Sequence, residues 1–122
     1  MALKFIKEQM RAIAAPYFYG LAPADTPHPY FVSELTEDEP MTEDGLCEST
    51  LTVNGFHGGD YIELERVKEK IRNHFDPICG VSGETASGYA VAFFAGAFPI
   101  PDDGSGIKRI QIHIKIKEWK VN

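Results

Sequence analysis

IKRIQIHIKIKEWKV, from Ile107 to Val121, alternates with a period of two. Ile110, Ile112, Ile114 and Ile116 fall on one side, and Gln111, His113, Lys115 and Lys117 on the other. Successive side chains of a strand point to opposite faces, so this is a strand in a sheet with one dry face. Trp119 and Val121 shift to the other phase, which predicts a twist, a bulge or the strand's end near Glu118.

A dry face needs a cover, and DYIELERVKEKIRNHF, from Asp60 to Phe75, supplies one. Leu64, Val67, Lys68, Ile71 and Phe75 recur at the three-and-four spacing of one helical face. Asp60 is the predicted N-cap, and Glu63 three residues on completes a capping-box pattern. Glu63 and Glu65 stand early, Arg72 and His74 late, as the helix dipole favours. Pro77 and Gly80 then stop the helix.

Outward from this pair, Leu3 to Ala15 predicts a first helix. Leu3, Ile6, Met10 and Ile13 form its apolar stripe, and Lys4, Lys7 and Arg11 a basic one beside it. Pro16 ends it. Tyr17–Gly20 (YFYG) is a short aromatic segment, and Leu21 to Pro29 an extended linker with Pro23, Pro27 and Pro29. Tyr30–Leu35 (YFVSEL) is a predicted strand, Thr36 to Gly45 an acidic loop or hairpin tip, and Cys47–Phe56 a second strand with Ser49, Leu51 and Val53 on one face. Asn54-Gly55 predicts a bulge or a turn into the helix, and His57-Gly58-Gly59 a hinge before the Asp60 cap. Gly80 to Gly88 is a predicted loop. Tyr89–Phe98 is a third strand whose alternation breaks at Phe94, predicting a bulge there. Pro99 to Gly106 is a turn. The expected fold is α+β: one domain, with an antiparallel four-stranded sheet and two helices packed on one face.

A chain of 122 residues with 43% hydrophobic content suits one soluble globular domain. No apolar run reaches the length of a membrane span. Lys4 and Lys7 are followed by no apolar h-region and no small-residue cleavage site, which predicts an unprocessed chain that stays in the cytosol. Cys47 and Cys79 fit a reducing compartment. The net charge of −6 argues against a dedicated nucleic-acid binder. The charge is unevenly spread: Asp25, Glu34, Glu37, Asp38, Glu39, Glu43, Asp44 and Glu48 meet no Lys or Arg in between, whereas Lys108, Arg109, Lys115, Lys117 and Lys120 crowd the end.

No catalytic constellation emerges. His28, His57, His74 and His113 have structural readings, and the spacing of His57 with Cys47 and Cys79 matches no metal pattern. NGFHGGD lacks both phosphate-loop spacings, and Asp60 would repel an anion. Paired carboxylates such as Glu37 and Glu39 are too loop-bound to single out as acid and base. Tyr17, Phe18, Tyr19, Tyr30 and Phe31 have few cations beside them, which favours core packing or a protein interface over base stacking. A small cytosolic α+β enzyme or ligand-binding domain, its pocket lined by Tyr30, Phe56 and Phe93, stays open as an alternative.

The order of elements, the YFYG segment and LAPADTPHPYFVSEL, an A-P-x-x-x-P-x-P-Y linker feeding a strand, resemble the small tail-completion or tail-terminator (minor tail) proteins of long-tailed bacteriophages and prophages. The specific part runs from Tyr17 to Leu35. Asn54-Gly55-Phe56 departs from the aromatic-rich strand end usual in that family, and the Thr36–Gly45 stretch is more acidic. The resemblance implies a structural virion protein without catalytic residues or cofactor. Made in the host cytoplasm, it would form a ring, usually a hexamer, on the head-proximal end of the tail tube. There it would end tube polymerisation and join the head connector. Another neck protein, such as a head-closure protein, fits the same signs. Ring contacts are expected between Lys4, Lys7 and Arg11 of one subunit and the acidic Glu37, Asp38, Glu39, Glu43 and Asp44 of the next. A carboxylate-rich loop facing the ring opening would let DNA pass without binding it.

Overall fold

The computed structural model describes residues 3–14, 16–39, 45–85, 88–101 and 104–120. The elements are α1 (Leu3–Ile13), β1 (Tyr17–Tyr19), β2 (Tyr30–Glu39), β3 (Leu46–His57), α2 (Tyr61–His74), β4 (Val81–Thr85), β5 (Gly88–Ile100) and β6 (Lys108–Lys120). The α+β class holds, but the sheet is six-stranded and mixed, in the order β1-β2-β3-β6-β5-β4, and curls into a half-barrel. The expected four antiparallel strands are β2, β3, β5 and β6, and an edge strand is added at each side. β1 runs parallel to β2, pairing Tyr17 with Phe31. β4 hairpins onto β5 and replaces the loop expected from Gly80 to Gly88.

The alternation in β6 settles where the core sits. Ile110, Ile112, Ile114 and Ile116 are buried to within a percent of completely, beside Leu51 and Val53 of β3 and Ala90 and Ala92 of β5. α2 lies over these central strands and inserts Leu64 and Ile71, with Phe75 at its C-cap. Asp60 caps it by accepting from the Ile62 N–H at 3.0 Å. Glu63 pairs with Arg66 at 3.0 Å. The Phe94 N–H donates to the Phe75 carbonyl at 2.8 Å, tying the end of α2 to β5.

α1 closes the concave side. Phe5, Ile6, Met10 and Ala14 are buried, and the helix touches β1, β4 and α2. A flat sheet of six strands would be about 24 Å wide, whereas the 11 residues of α1 rise only about 16 Å. Contact with both edge strands therefore requires the curl. At the β4 side, Phe5 leaves so little room that a Cβ on Gly83 would stand 2.6 Å from its ring. Gln9 Oε1 accepts from His74 Nε2 at 2.6 Å and locks α1 to α2.

Several local expectations need correction. Asn54 and Gly55 make neither a bulge nor a turn; both stay in regular register with β6. Gly55 is required because a Cβ there would meet the Phe31 ring at 2.7 Å. Thr36 to Glu39 is not loop but the continuation of β2, with a register shift between Glu37 and Glu39. β6 does not break at Glu118: the inward phase runs on, and Glu118 is 5% exposed, accepting from Thr85 Oγ1 at 2.9 Å. The predicted bulge in β5 is present, between Phe94 and Gly96, and Gly96 adopts φ 147°. That backbone suits only glycine well.

Ile112→Ala or Ile114→Ala should cost about 2–5 kcal/mol in denaturant unfolding. A cost below about 1 kcal/mol at both positions would place the core on the wrong face. Gly55→Ala should cost about 1–3 kcal/mol through overpacking against Phe31. The Tyr17 hydroxyl and Ser33 Oγ form a buried hydrogen bond between β1 and β2. Burial raises the Tyr17 phenol above its ordinary 10.0, although the Ser33 bond pulls the other way. The unfolded phenol thus ionises first, so this contribution is complete below about pH 10 and is lost as the pH climbs through the folded value. Tyr17→Phe should cost about 1–3 kcal/mol at neutral pH and flatten the alkaline fall in stability; an unchanged alkaline limb would refute the assignment.

Candidate protein interface

The helices fill the concave side of the sheet, so the convex side has no helical cover. The outward phase of β6 sets its chemistry. Arg109 lies with its guanidinium 5.1 Å from the centre of the Phe56 ring, and Lys117 sits 5.9 Å from the centre of Phe93. Such cation–π contacts let a sheet display aromatics while keeping charge in water. Gln111 Nε2 donates to Asn54 Oδ1 at 3.3 Å, and His113 Nε2 lies 3.0 Å from Gln111 Oε1. The His113 ring meets Phe98 edge-on at 5.9 Å. Glu48 of β3 stands 3.8 Å from both Lys115 and Lys117. One carboxylate, shared between two lysines, thus offsets part of the positive charge of this strand.

Near one side of this face the linker after β1 folds over the ends of β2 and β3. Gly20, Leu21, Ala22, Tyr30, Val32, Glu34, Asn54 and Phe56 line an open cleft of about 250 Å³. Tyr30 and Phe56 stack with centroids 5.0 Å apart and planes 18° apart. Leu21 is 86% exposed, and Glu34 is exposed and makes no ion pair among the described residues. Beside Tyr30, His28 accepts the Gly58 N–H on Nδ1 at 2.9 Å, which fixes the strand-to-helix hinge. His57 meets His28 edge-on at 6.4 Å, and its enclosed Nδ1 has no hydrogen-bond partner among the described residues.

The basic stripe of α1 lies on the helix side of the sheet, beside β1. Lys4 and Arg11 are exposed, while Lys7 is half-buried with its ammonium 5.7 Å from the centre of the Tyr19 ring. With Leu3 and Glu8 they border a shallow depression of about 340 Å³. None of the three cations forms an ion pair among the described residues. Of the acidic partners expected for them, Glu37 is exposed on β2, and Asp38 and Glu39 continue that strand. Glu43 and Asp44 lie outside the described residues.

The structure does not gather the residues of the alternative pocket. Tyr30 and Phe56 share the cleft, but Phe93 belongs to β5, beyond β6, under Lys117. Cys47 and His57 stand near opposite ends of β3, about 33 Å apart along the strand, and both cysteines are free thiols. Among the described residues no group of three His, Cys, Asp or Glu side chains could hold a metal ion, and no helix is long and apolar enough to cross a membrane.

Sequence reasoning missed two features. The cleft depends on Leu21 and Glu34 coming together, which only the return of the linker beside β2 produces. The rigid apolar knob after α2 has a readable signal. Asp76 Oδ1 accepts from the Ile78 and Cys79 N–H groups at 2.8 and 2.9 Å, the turn chemistry of Asp before Pro77, and holds Ile78 at 92% exposure. Those bonds, the one from Cys79 first, hold the Asp76 carboxyl below its ordinary value. No protein-family model matches the chain, and comparison with curated proteins finds no significant relative.

Proposed function

We propose that the chain is a structural tail-completion protein of a long-tailed bacteriophage or prophage. It assembles head to tail into a ring, six subunits in the family it resembles, that caps the tail tube and receives the head connector. The observation that carries this reading is the placement of two complementary surfaces on opposite sides of one subunit. Cations on α1 that make no ion pair among the described residues lie on the helix side, and an aromatic face with the exposed carboxylate of Glu34 lies on the other. Surfaces so placed cannot satisfy each other within one subunit but can between successive copies, which is the heterologous contact that closes a ring. The Tyr17–Leu35 resemblance supplies the biological setting. Exposed ion pairs contribute about 0–1 kcal/mol each, so the charges set register while apolar contacts supply affinity.

A second reading, a ligand-binding domain, rests on the cleft. Its volume of about 250 Å³ falls below the roughly 300–1,000 Å³ of small-molecule pockets, which favours the assembly reading. No reaction is assigned. The acidic end of the β2–β3 hairpin either lines the ring opening, where carboxylates repel passing DNA, or docks on a basic patch of the next virion protein.

Sedimentation and native mass spectrometry should find a ring at micromolar concentration or on addition of tail tubes. The triple charge reversal Lys4→Glu, Lys7→Glu, Arg11→Glu should leave monomers and tails that fail to join heads. A wild-type chain that stays monomeric in both settings, or a triple variant that assembles and joins normally, would sink the proposal.

A further inference from the structure

We infer that the cleft between Leu21, Tyr30, Glu34 and Phe56 is the receptor for Arg11 of the next copy. This rests on the ring reading and names the contact that would set its register. The cleft combines three elements that a long cationic side chain needs. The stacked rings of Tyr30 and Phe56, with Val32 and Leu21, offer an apolar bed for an alkyl stem. Glu34 offers an exposed carboxylate at the rim with no cation paired to it among the described residues. Asn54 Oδ1, which already accepts from Gln111, has a second lone pair for another donor.

The same ring system already binds a guanidinium inside the subunit, since Arg109 stacks on Phe56 at 5.1 Å. Because Arg109 and Tyr30 already flank Phe56, an incoming guanidinium would rest against Tyr30 and Glu34. A planar fork matches a carboxylate in two hydrogen bonds, which a lysine ammonium cannot reproduce. The volume of about 250 Å³ suits one long side chain rather than a drug-sized ligand. Leu21, 86% exposed at the rim, would be covered by the arriving helix.

Charge complementarity and position identify the occupant. Arg11 is exposed in the last turn of α1 and makes no ion pair among the described residues, whereas Lys7 is already placed over its own Tyr19. α1 packs on the concave side and the cleft opens on the convex side, so the inferred contact is one between copies of the chain.

The test uses the full chain. Glu34→Gln and Arg11→Ala should each weaken self-association on the order of tenfold by sedimentation, with circular dichroism and melting unchanged because both side chains are exposed. The swap Glu34→Arg with Arg11→Glu should restore assembly that either reversal alone abolishes. In a separate arm, Nα-acetyl-arginine amide should shift the amide resonances of Glu34, Asn54 and Phe56, and its uncharged citrulline analogue should not. Rings that form normally with Glu34→Gln, or a swap that restores nothing, would overturn this contact and leave the ring reading standing. A wild-type chain that never assembles would remove both. Shifts with citrulline equal to those with arginine would also refute the cation site.

Discussion

Everything in this subunit depends on the dry face of β6. Ile110, Ile112, Ile114 and Ile116 form an unbroken buried row in a strand paired on both sides, to β3 and β5. Those pairings place Val53 and Leu51 on one flank and Ala92 and Ala90 on the other. Leu64, Ile71 and Phe75 of α2 are buried in the same core. Burying four isoleucine side chains of this kind stabilises by about 1.5–3 kcal/mol each, more than any ion pair on the surface contributes. The outward phase of the same strand then fixes the chemistry of the convex face, because a one-residue slip would exchange the two sets.

The curl of the sheet follows from covering this row with only two helices. α2 covers the centre. α1 must reach across from β4 to β1, and it is too short to bridge a flat sheet. Gly83 under Phe5 and Gly55 under Phe31 are two of the places where the backbone comes close enough to exclude a side chain. They record how tightly the half-barrel is wrapped.

Periodicity made α2, β6, the bulge in β5 and the buried face of β3 legible in the sequence, because each is long enough to repeat its pattern. The edge strands escaped for the opposite reason. β1 has 3 residues and β4 has 5, too few for alternation to rise above composition. Each is a strand because a neighbour pairs with it, not because its residues insist. Asn54-Gly55 carried a turn signal that tertiary packing overrode, since the glycine is needed opposite the Phe31 ring. A break near Glu118 was expected because Trp119 and Val121 fall in the other phase; instead Glu118 keeps the inward position and accepts a hydrogen bond from Thr85. For the interface, the α1 stripe was visible as charges three and four apart. The cleft was visible only in its aromatic members: Glu34 shares a strand phase with Tyr30 and Val32, but Leu21 joins them only through the fold.

The edges also bear on the proposed contact between copies. A sheet grows across subunits most readily through a long open edge with unpaired backbone groups. Here the outer strands are the shortest in the sheet, and α1 packs against both. The inner strands run well past them, however, so residues 34–39 of β2 and 93–100 of β5 have no strand partner on their outer side among the described residues. The helix side and the convex face differ in kind: one offers cations on a helix, the other aromatic rings with Glu34 among the cations Arg109, Lys115 and Lys117. Two unlike faces favour head-to-tail contacts over a symmetric dimer, in which each patch must match itself. Glu48 stands 3.8 Å from both Lys115 and Lys117, so its one carboxylate offsets part of the positive charge that the outward phase of β6 would turn toward an approaching cation.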